Sequence, residues 1–256
     1  MNVSAVVIAK DEEAAIGACL DSVSWCKEII VVDSGSHDRT REIAAARGAK
    51  VHEHAWEGYG RQKNFAVNQA GNDWVLCIDA DETISPALRA AIERTLTNPA
   101  CQAYEISRCN RFMGVWLRHG EGYPDWILRL FDRRVAHWSD DPVHEKVVTD
   151  VRVGRLQGDL LHDSAETLHS YLEKQNVYTS LQAQVLYRRG KRANAAKLVL
   201  SPLYRFLKFY VLRLGFMDGG PGLVHVSIGC FNSFMRTAKL SALWREAKRP
   251  PRASHH

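Results

Sequence analysis

In the stretch WVLCIDADE, Trp74 to Glu82, an apolar run of strand length ends in Asp79 and Asp81, two carboxylates one residue apart. Alternate residues of a strand point to opposite faces, so the pair falls where a strand gives way to a loop, and loops at strand ends are where active sites collect. Mg²⁺ and Mn²⁺ prefer carboxylate oxygens and usually take only one or two from a protein, leaving water and substrate phosphates to complete the shell. The pair therefore suits a divalent cation, Mg²⁺ or Mn²⁺, that carries a diphosphate. Acidic pairs are also common in solvated loops, so D-x-D alone decides little. The elements that precede it carry more weight.

Before the pair, strand and helix alternate. Val3 to Ala9 is an apolar run of buried-strand type, and Glu12 to Trp25 places Ile16, Leu20 and Val23 at helical spacing. Glu28 to Val32 predicts a second strand, ended by Asp33-Ser-Gly-Ser. Asp38 to Arg47 predicts a helix with Ser36 as its N-cap, and Lys50 to His54 a third strand. Gly60 to Ala70 reads as helix and Asp73 to Asp79 as the strand that ends in the acidic pair. Such alternation predicts an α/β fold, a mostly parallel sheet covered by helices on both faces, with ligands bound beyond the carboxyl ends of the strands. Three acidic groups then meet at one edge: Lys10-Asp11-Glu12, Asp33, and Asp79 with Asp81. No G-x-x-x-x-G-K-[ST] and no G-x-G-x-x-G opens a helix, so a bound nucleotide would be held through a metal and carboxylates.

The 256 residues, 46% hydrophobic and 25% charged, suit one large domain or a domain with an appendage. Cys19, Cys26, Cys77, Cys101, Cys109 and Cys230 show no C-x-x-C spacing, which predicts reduced structural thiols in a cytosolic setting rather than a disulfide framework or zinc site. The opening MNVSAVVIAKDEE has no basic segment followed by a long apolar core, so no signal peptide is expected. The net charge of +5 is unevenly spread. Between Arg188 and Arg252 fourteen Lys or Arg face only Asp218 and Glu246, leaving that quarter at +12 and the remainder at −7.

The series VVIAKDEE, VVDSGSHDRT, RQKNFAVNQAGNDWVLCIDADE, ILRLFDRR and PVHEKV resembles the family 2 glycosyltransferases of the GT-A fold, in particular the small bacterial group related to lipopolysaccharide core glucosyltransferases. The similarity runs by motif from Val3 to His162 and more loosely beyond. It implies a GT-A (nucleotide-diphospho-sugar transferase) Rossmann-like mixed sheet over 1–163, with 1–98 as the nucleotide-sugar and metal half and 99–163 as the acceptor half, and a C-terminal helical appendage over 164–256. It also implies that Glu12 and Asp33 lie against the uracil and ribose of a UDP-sugar, Asp79 near the ribose and metal, and Asp81 on the cation between the two phosphates. Asp11 departs from the AKNEE form of the motif, where Asn stands. Lys63, flanked by Arg61 and Asn64, precedes the metal strand in the segment that would line the donor pocket; a solvated helix face carries charges of the same kind.

Displacing UDP from a sugar carbon with inversion needs a general base for the acceptor hydroxyl and positive charge on the leaving diphosphate. Relatives carry a Glu-Asp pair for this task, absent here. In SDDPVHEKV, His144 and Glu145 occupy the comparable place, so Glu145 is the first candidate base, with His144 its neighbour or a phosphate contact and Asp125 as the second candidate. A Glu facing Lys146 and Arg129 could instead merely pair with a cation. His162, in GDLLHDS, is a candidate metal or phosphate ligand, although a His at a strand end is more often a structural residue.

Ser85-Pro86 opens a helix with Leu88, Ile92 and Leu96 on one stripe, and strand-like pieces follow at Gln102 to Arg108, Val115 to His119 and Trp126 to Phe131. The tail predicts a helix over Ala165 to Arg189, an amphipathic one through Leu203 to Leu214, a break at Gly215 to Gly222, and a third over Leu223 to Trp244 ending in Arg245, Lys248 and Arg249. No uncharged run is long enough to span a bilayer, and lying on its surface is expected instead. The partners expected are thus a UDP-sugar donor, a lipid-linked saccharide acceptor such as the lipopolysaccharide inner core, and the inner face of the cytoplasmic membrane. A polyprenyl-phosphate sugar transferase is the nearer rival. A basic nucleic-acid-binding module is the more distant one, and no nucleic-acid-binding fold is seen.

Overall fold

The computed structural model describes residues 2–141, 145–164 and 167–247, so His144, Ala165, Lys248 and Arg249 lie outside the described residues. The chain forms two compact units, one of Met1–Asn110 with Pro124–Ser164 and one of Arg111–Tyr123 with Ala165–His256.

In the first unit the order is β1 (Val3–Ala9), α1 (Ile16–Ser22), β2 (Glu28–Asp33), α2 (Thr40–Ala46), β3 (Lys50–Glu53), α3 (Tyr59–Asn68), β4 (Trp74–Asp79), β5 (Glu82–Ile84) and α4 (Pro86–Thr97). There follow β6 (Ala103–Phe112), whose last two residues pair with β7 (Val115–Trp116) of the second unit, then β8 (Asp125–Asp132), β9 (Ala136–Trp138), β10 (Val147–Thr149) and β11 (Val153–His162). The main sheet runs β3-β2-β1-β4-β8-β6-β11-β5. Its first four strands are parallel, and β8 and β5 enter antiparallel. A parallel half continued by antiparallel strands is the GT-A Rossmann-like mixed sheet.

Alternation along the strands gives the sheet two cores. Val3, Ala5 and Val7 of β1 face Ile16 and Leu20 of α1 and Leu88 and Ile92 of α4, whereas Val6 joins Ala66 and Val67 of α3 on the opposite face. Strands buried on both faces read as unbroken apolar runs, which is why β1, β2 and β4 stand out in the sequence. The Ser85 hydroxyl caps α4, accepting from the Leu88 N–H, with Pro86 in the first turn. Ser36 does not cap α2. That helix begins at Thr40 with Arg39 at its N-cap, and the Ser36 hydroxyl instead accepts from the Asp11 N–H at 2.9 Å and donates to the Asp33 carboxylate. The first helix likewise starts at Ile16 rather than Glu12, preceded by a turn in which the Glu12 carbonyl accepts from the Ala15 and Ile16 N–H groups, while the Glu12 N–H donates to the Thr40 hydroxyl at 2.8 Å.

The second unit is helical: α5 (Leu168–Arg188), α6 (Ala195–Phe206) running into a π-helical turn at Leu207–Leu212, a 3₁₀ turn at Gly215–Asp218, and α7 (Gly219–Glu246). The middle helix thus starts eight residues before the expected Leu203, capped by Asn194, whose side chain accepts from the Ala196 N–H at 2.7 Å. The third helix starts at Gly219, with Pro221 in its first turn where a missing N–H costs nothing. Arg111–Tyr123 is fastened to these helices by the His119 Nδ1 to Asp218 contact at 2.7 Å, by Gly120 N–H donating to the Arg213 carbonyl at 2.8 Å, and by the Glu121–Arg205 ion pair.

Candidate functional site

Register brings the acidic loops together. Ala9 of β1 sits opposite Asp33 of β2, and Ile8 opposite Asp79 of β4, so the three parallel strands end side by side. The loops after β1 and β2 are stitched by hydrogen bonds: Asp11 N–H donates to the Ser36 hydroxyl at 2.9 Å, and His37 N–H to the Asp11 carboxylate at 2.7 Å. Asp11 has φ +54°, a left-handed conformation that Asp and Asn tolerate better than other side chains, so the departure from AKNEE keeps the backbone requirement. Asp33 is at this edge but turned away from it. Its side chain is fully buried and accepts from the Gly35 and Ser36 N–H groups and the Ser36 hydroxyl, shaping the loop whose Ser34 lines the cavity. The expected direct contact of Asp33 with a nucleoside is therefore not the geometry found.

A cavity of about 590 Å³ opens at this edge, and Lys10, Glu12, Trp56, Asp79, Asp81 and His162 are among its walls. Burial, and then the charges of Asp81, Asp38, Asp11 and Asp79, push the Glu12 carboxyl above its ordinary range. A second cavity, of about 770 Å³, is lined by Lys63, Arg108, Arg129, Trp138 and Glu145 among others. Asp79 stands between the two. Its oxygens are taken by Lys63 Nζ at 3.0 Å and Arg129 Nη2 at 2.7 Å. Burial alone would raise its pKa, but Arg129 and Lys63 outweigh it and hold the carboxyl well below the usual range. So placed, Asp79 is a counter-ion to two cations and still lines the first cavity.

Asp81 and His162 form the other pair. His162 Nε2 lies 3.0 Å from Asp81 Oδ2, while its Nδ1 lies 2.8 Å from Asn110 Oδ1. An amide oxygen only accepts, so Nδ1 carries a proton. Nε2 is then either protonated toward Asp81 or bare, and in the second case two lone pairs face each other with only a cation to reconcile them. Burial opposes a charged imidazole, yet the Asp81 carboxylate raises the His162 pKa above its ordinary value. The backbone holds Asp81 as well, its carbonyl accepting from the Asp163 N–H at 3.1 Å. Asp81 and His162 fit a divalent cation as two of its ligands. Among the described residues no group of three His, Cys, Asp or Glu side chains is arranged to hold a metal ion.

Glu145 is half-buried, with Oε1 3.4 Å from Lys63 Nζ; its cation is Lys63 rather than the Lys146 or Arg129 anticipated for a surface pair. Asp125 lies on β8 itself and accepts from Arg108 Nη2 at 2.9 Å and Nε at 3.1 Å. It is not among the lining residues of either cavity, which sets it apart from Glu145. Asn64 is also withdrawn, its amide exchanging hydrogen bonds with the Trp138 backbone at 2.8 and 2.9 Å.

Sequence reasoning names Arg129 only as a possible surface partner of Glu145 and passes over Glu82, Asn110 and the Trp56–Tyr59 pair. The Glu82 side chain is fully buried, accepts from the Asp79 N–H at 2.9 Å, and lies 3.4 Å from Arg129 Nη2. Burial and then the Asp79 charge raise its pKa, while Arg129 works the other way. The available signal was Arg129 within the apolar strand WILRLF, because a charge in a buried strand must be paired. Trp56 and Tyr59 are both exposed, their rings edge to face at 4.7 Å on the wall of the first cavity.

The chain is similar to known glycosyltransferases. The profile described as Glycosyl transferase family 2 matches residues 4–149. An uncharacterised glycosyltransferase of Rickettsia typhi is 34% identical over 254 residues, 94% of this chain and 87% of the relative. The lipopolysaccharide core biosynthesis glycosyltransferase LpsC of Rhizobium meliloti is 30% identical over 245 residues, 93% of this chain and 91% of the relative. Among solved structures, glucosyl-3-phosphoglycerate synthase of Mycobacterium tuberculosis, crystallised with Mn²⁺, UDP and glucosyl-3-phosphoglycerate, aligns with TM-score 0.37 and 29% identity over 43% of this chain and 44% of that one. With a family profile over more than half its length and relatives at this identity along nearly all of it, the chain belongs to glycosyl transferase family 2 and is a glycosyltransferase.

Proposed function

We propose that the chain transfers a hexose, glucose first, with inversion from a UDP-sugar to a lipid-linked saccharide acceptor, the lipopolysaccharide inner core, at the cytoplasmic face of the membrane. The observation that carries this reading is the meeting of Glu12, Asp79, Asp81 and His162 on one cavity at the carboxyl ends of parallel strands. The lipopolysaccharide acceptor is drawn from the name of LpsC, and the UDP-sugar and its cation from the family resemblance that VVDSGSHDRT and WVLCIDADE carry.

In this reading the first cavity takes the nucleotide sugar. Glu12 faces the nucleoside, and Asp33 acts through the loop that it shapes. Asp81 and His162 would hold a divalent cation, Mg²⁺ or Mn²⁺, which when bound would neutralise charge on the leaving diphosphate. Asp79 fixes Lys63 and Arg129 at the boundary of the two cavities, and Lys63 in turn holds Glu145. The acceptor hydroxyl attacks the anomeric carbon as the bond to the diphosphate oxygen breaks. Glu145 takes the hydroxyl proton, with Lys63 Nζ 3.4 Å from its Oε1.

The experiment is release of UDP from a panel of UDP-sugars, with and without Mn²⁺ or Mg²⁺, against rough lipopolysaccharide and against a polyprenyl phosphate. Glucose on lipopolysaccharide, metal-dependent, is the expected result; transfer to the lipid phosphate alone would reassign the acceptor. Glu145→Gln is expected to keep UDP-sugar binding and lose about 10²- to 10⁴-fold in turnover, the range for a general base. Undiminished turnover would remove Glu145 from the chemistry.

A further inference from the structure

In the second unit, α6 has two apolar faces. Leu198, Pro202 and Phe206 are partly covered, on the side where α6 packs along α7. The other side is open. Leu200, Leu203, Tyr204, Leu207 and Val211 are 61%, 57%, 66%, 57% and 45% exposed, and Leu212 in the π-helical turn is 77% exposed. Leu200, Leu203, Tyr204 and Leu207 recur at i, i+3, i+4 and i+7 and form one stripe where a helix resting on a protein would carry polar groups, and Val211 and Leu212 extend the apolar exposure into the π-helical turn. At 100° per residue Lys197 falls along one border of that stripe, and Lys208 and Arg213 stand in and just after the π-helical turn that continues it. A contiguous apolar face of this size on a folded unit marks an interaction surface.

We infer that this face of α6 and its π-helical turn lies in the headgroup region of an anionic lipid bilayer. The inference deepens the proposed function by naming the surface that meets the membrane, and it rests on that reading for its biological sense. Charge selects the occupant. Lys197, Lys208 and Arg213 stand beside this face in a segment that carries +12 from Arg188 to Arg252, and a second copy docking through the same face would bring its own three cations against them, whereas anionic headgroups complement them. Leucine and tyrosine toward the acyl boundary, with lysines at the edge reaching back to the headgroups, is the layout of a helix lying in the interface plane. Among the described residues no helix is long and apolar enough to cross a membrane, so the face would rest on the bilayer.

The test is co-sedimentation of the full chain with vesicles of phosphatidylcholine alone and of equal parts phosphatidylcholine and phosphatidylglycerol. The chain is expected to bind the anionic vesicles, and more weakly as salt rises. Lys197→Ala and Lys208→Ala should each weaken binding to anionic vesicles about fivefold, with little effect on neutral ones. The double variant Leu203→Glu with Leu207→Glu, at open positions where the fold loses no packing, should abolish binding and leave UDP release to a deacylated, water-soluble acceptor unchanged. Failure of the wild type to sediment with anionic vesicles would overturn the inference, as would binding retained by the double variant. A concentration-dependent dimer dissolved by that variant would assign the face to a second copy instead. Loss of UDP release in every chain would count against the proposed function, not against this surface.

Discussion

Asn110 shows how much of the site depends on a residue that carries no charge. Its amide oxygen fixes the Nδ1 proton of His162 and so decides that Nε2 faces Asp81. Outer partners of a metal-binding imidazole typically change metal affinity 10- to 100-fold when removed. Asn110→Leu is therefore expected to lower Mn²⁺ affinity by about that factor, measured calorimetrically with UDP present, while Asn110→Asp restores it and the circular dichroism of both matches the wild type. Unchanged affinity in Asn110→Leu would show that the tautomer is set elsewhere. Asp81→Ala is expected to abolish metal-dependent turnover with the fold intact, read as loss of UDP release beside an unaltered melting curve. Asp81 and His162 were legible in the sequence because D-x-D and a strand-end His are chemical signals in themselves. The neutralisation of Asp79 was not, since its partner Arg129 stands fifty positions further along the chain, and the burial of Asp33 was not, since it depends on how the loop from Ser34 to Ser36 folds back on the carboxylate.

At the scale of elements, the opening strand edge is held by one carboxylate. Glu28 at the start of β2 accepts from the Ser4 hydroxyl of β1 at 2.7 Å and the Gly71 N–H before β4 at 2.8 Å, and meets Lys50 of β3 at 2.6 Å. Burial opposes its ionisation, but the bonds from Lys50, Gly71 and Ser4 prevail and bring its pKa from 4.5 down to about 2. A carboxyl whose folded pKa lies below its unfolded value contributes stability that is fully present above pH 4.5 and is lost as pH falls toward 2. With Lys50 exposed, solvent screening leaves a contribution of about 1–2 kcal/mol. Glu28→Gln should therefore unfold in urea at a lower midpoint than wild type at pH 7, and the two midpoints should converge as pH is lowered through this window. A difference independent of pH would assign the effect to packing. The long elements around this edge were readable because β1, β2 and β4 are apolar on both faces. The short β5, β9 and β10 were not, because three residues show no period, and their pairing is set by β11 and by each other.

Across the whole molecule, apolar exposure is as uneven as charge. Of the large apolar side chains left open among the described residues, only Trp56, Tyr59, Val148 and Val153 belong to the first unit, and all others to the second. The buried apolar set is divided the opposite way, with Leu117, Ala183, Val226, Ile228 and Leu240 the second unit's share. A unit with so few fully buried side chains draws little from the hydrophobic effect, and its local opening free energy falls below that of the two-sided sheet. The sequence carried half of this picture: the cationic quarter and the helical spacing were legible, but which apolar residues remain uncovered depends on how α6 meets α7. Amide hydrogen exchange of the full chain is expected to show α6 and α7 exchanging well before β1 and β4. A bound surface stabilises whatever it binds in the folded form, by about 2.7 kcal/mol at a hundredfold excess over the dissociation constant. Anionic vesicles should therefore slow exchange in α6 and α7, leave β1 and β4 unchanged, and lose this effect in the Leu203→Glu, Leu207→Glu variant. Exchange in α6 and α7 as slow as in β1 without any lipid would mean that the helices are stable on their own, and the uncovered face would then cost the second unit nothing.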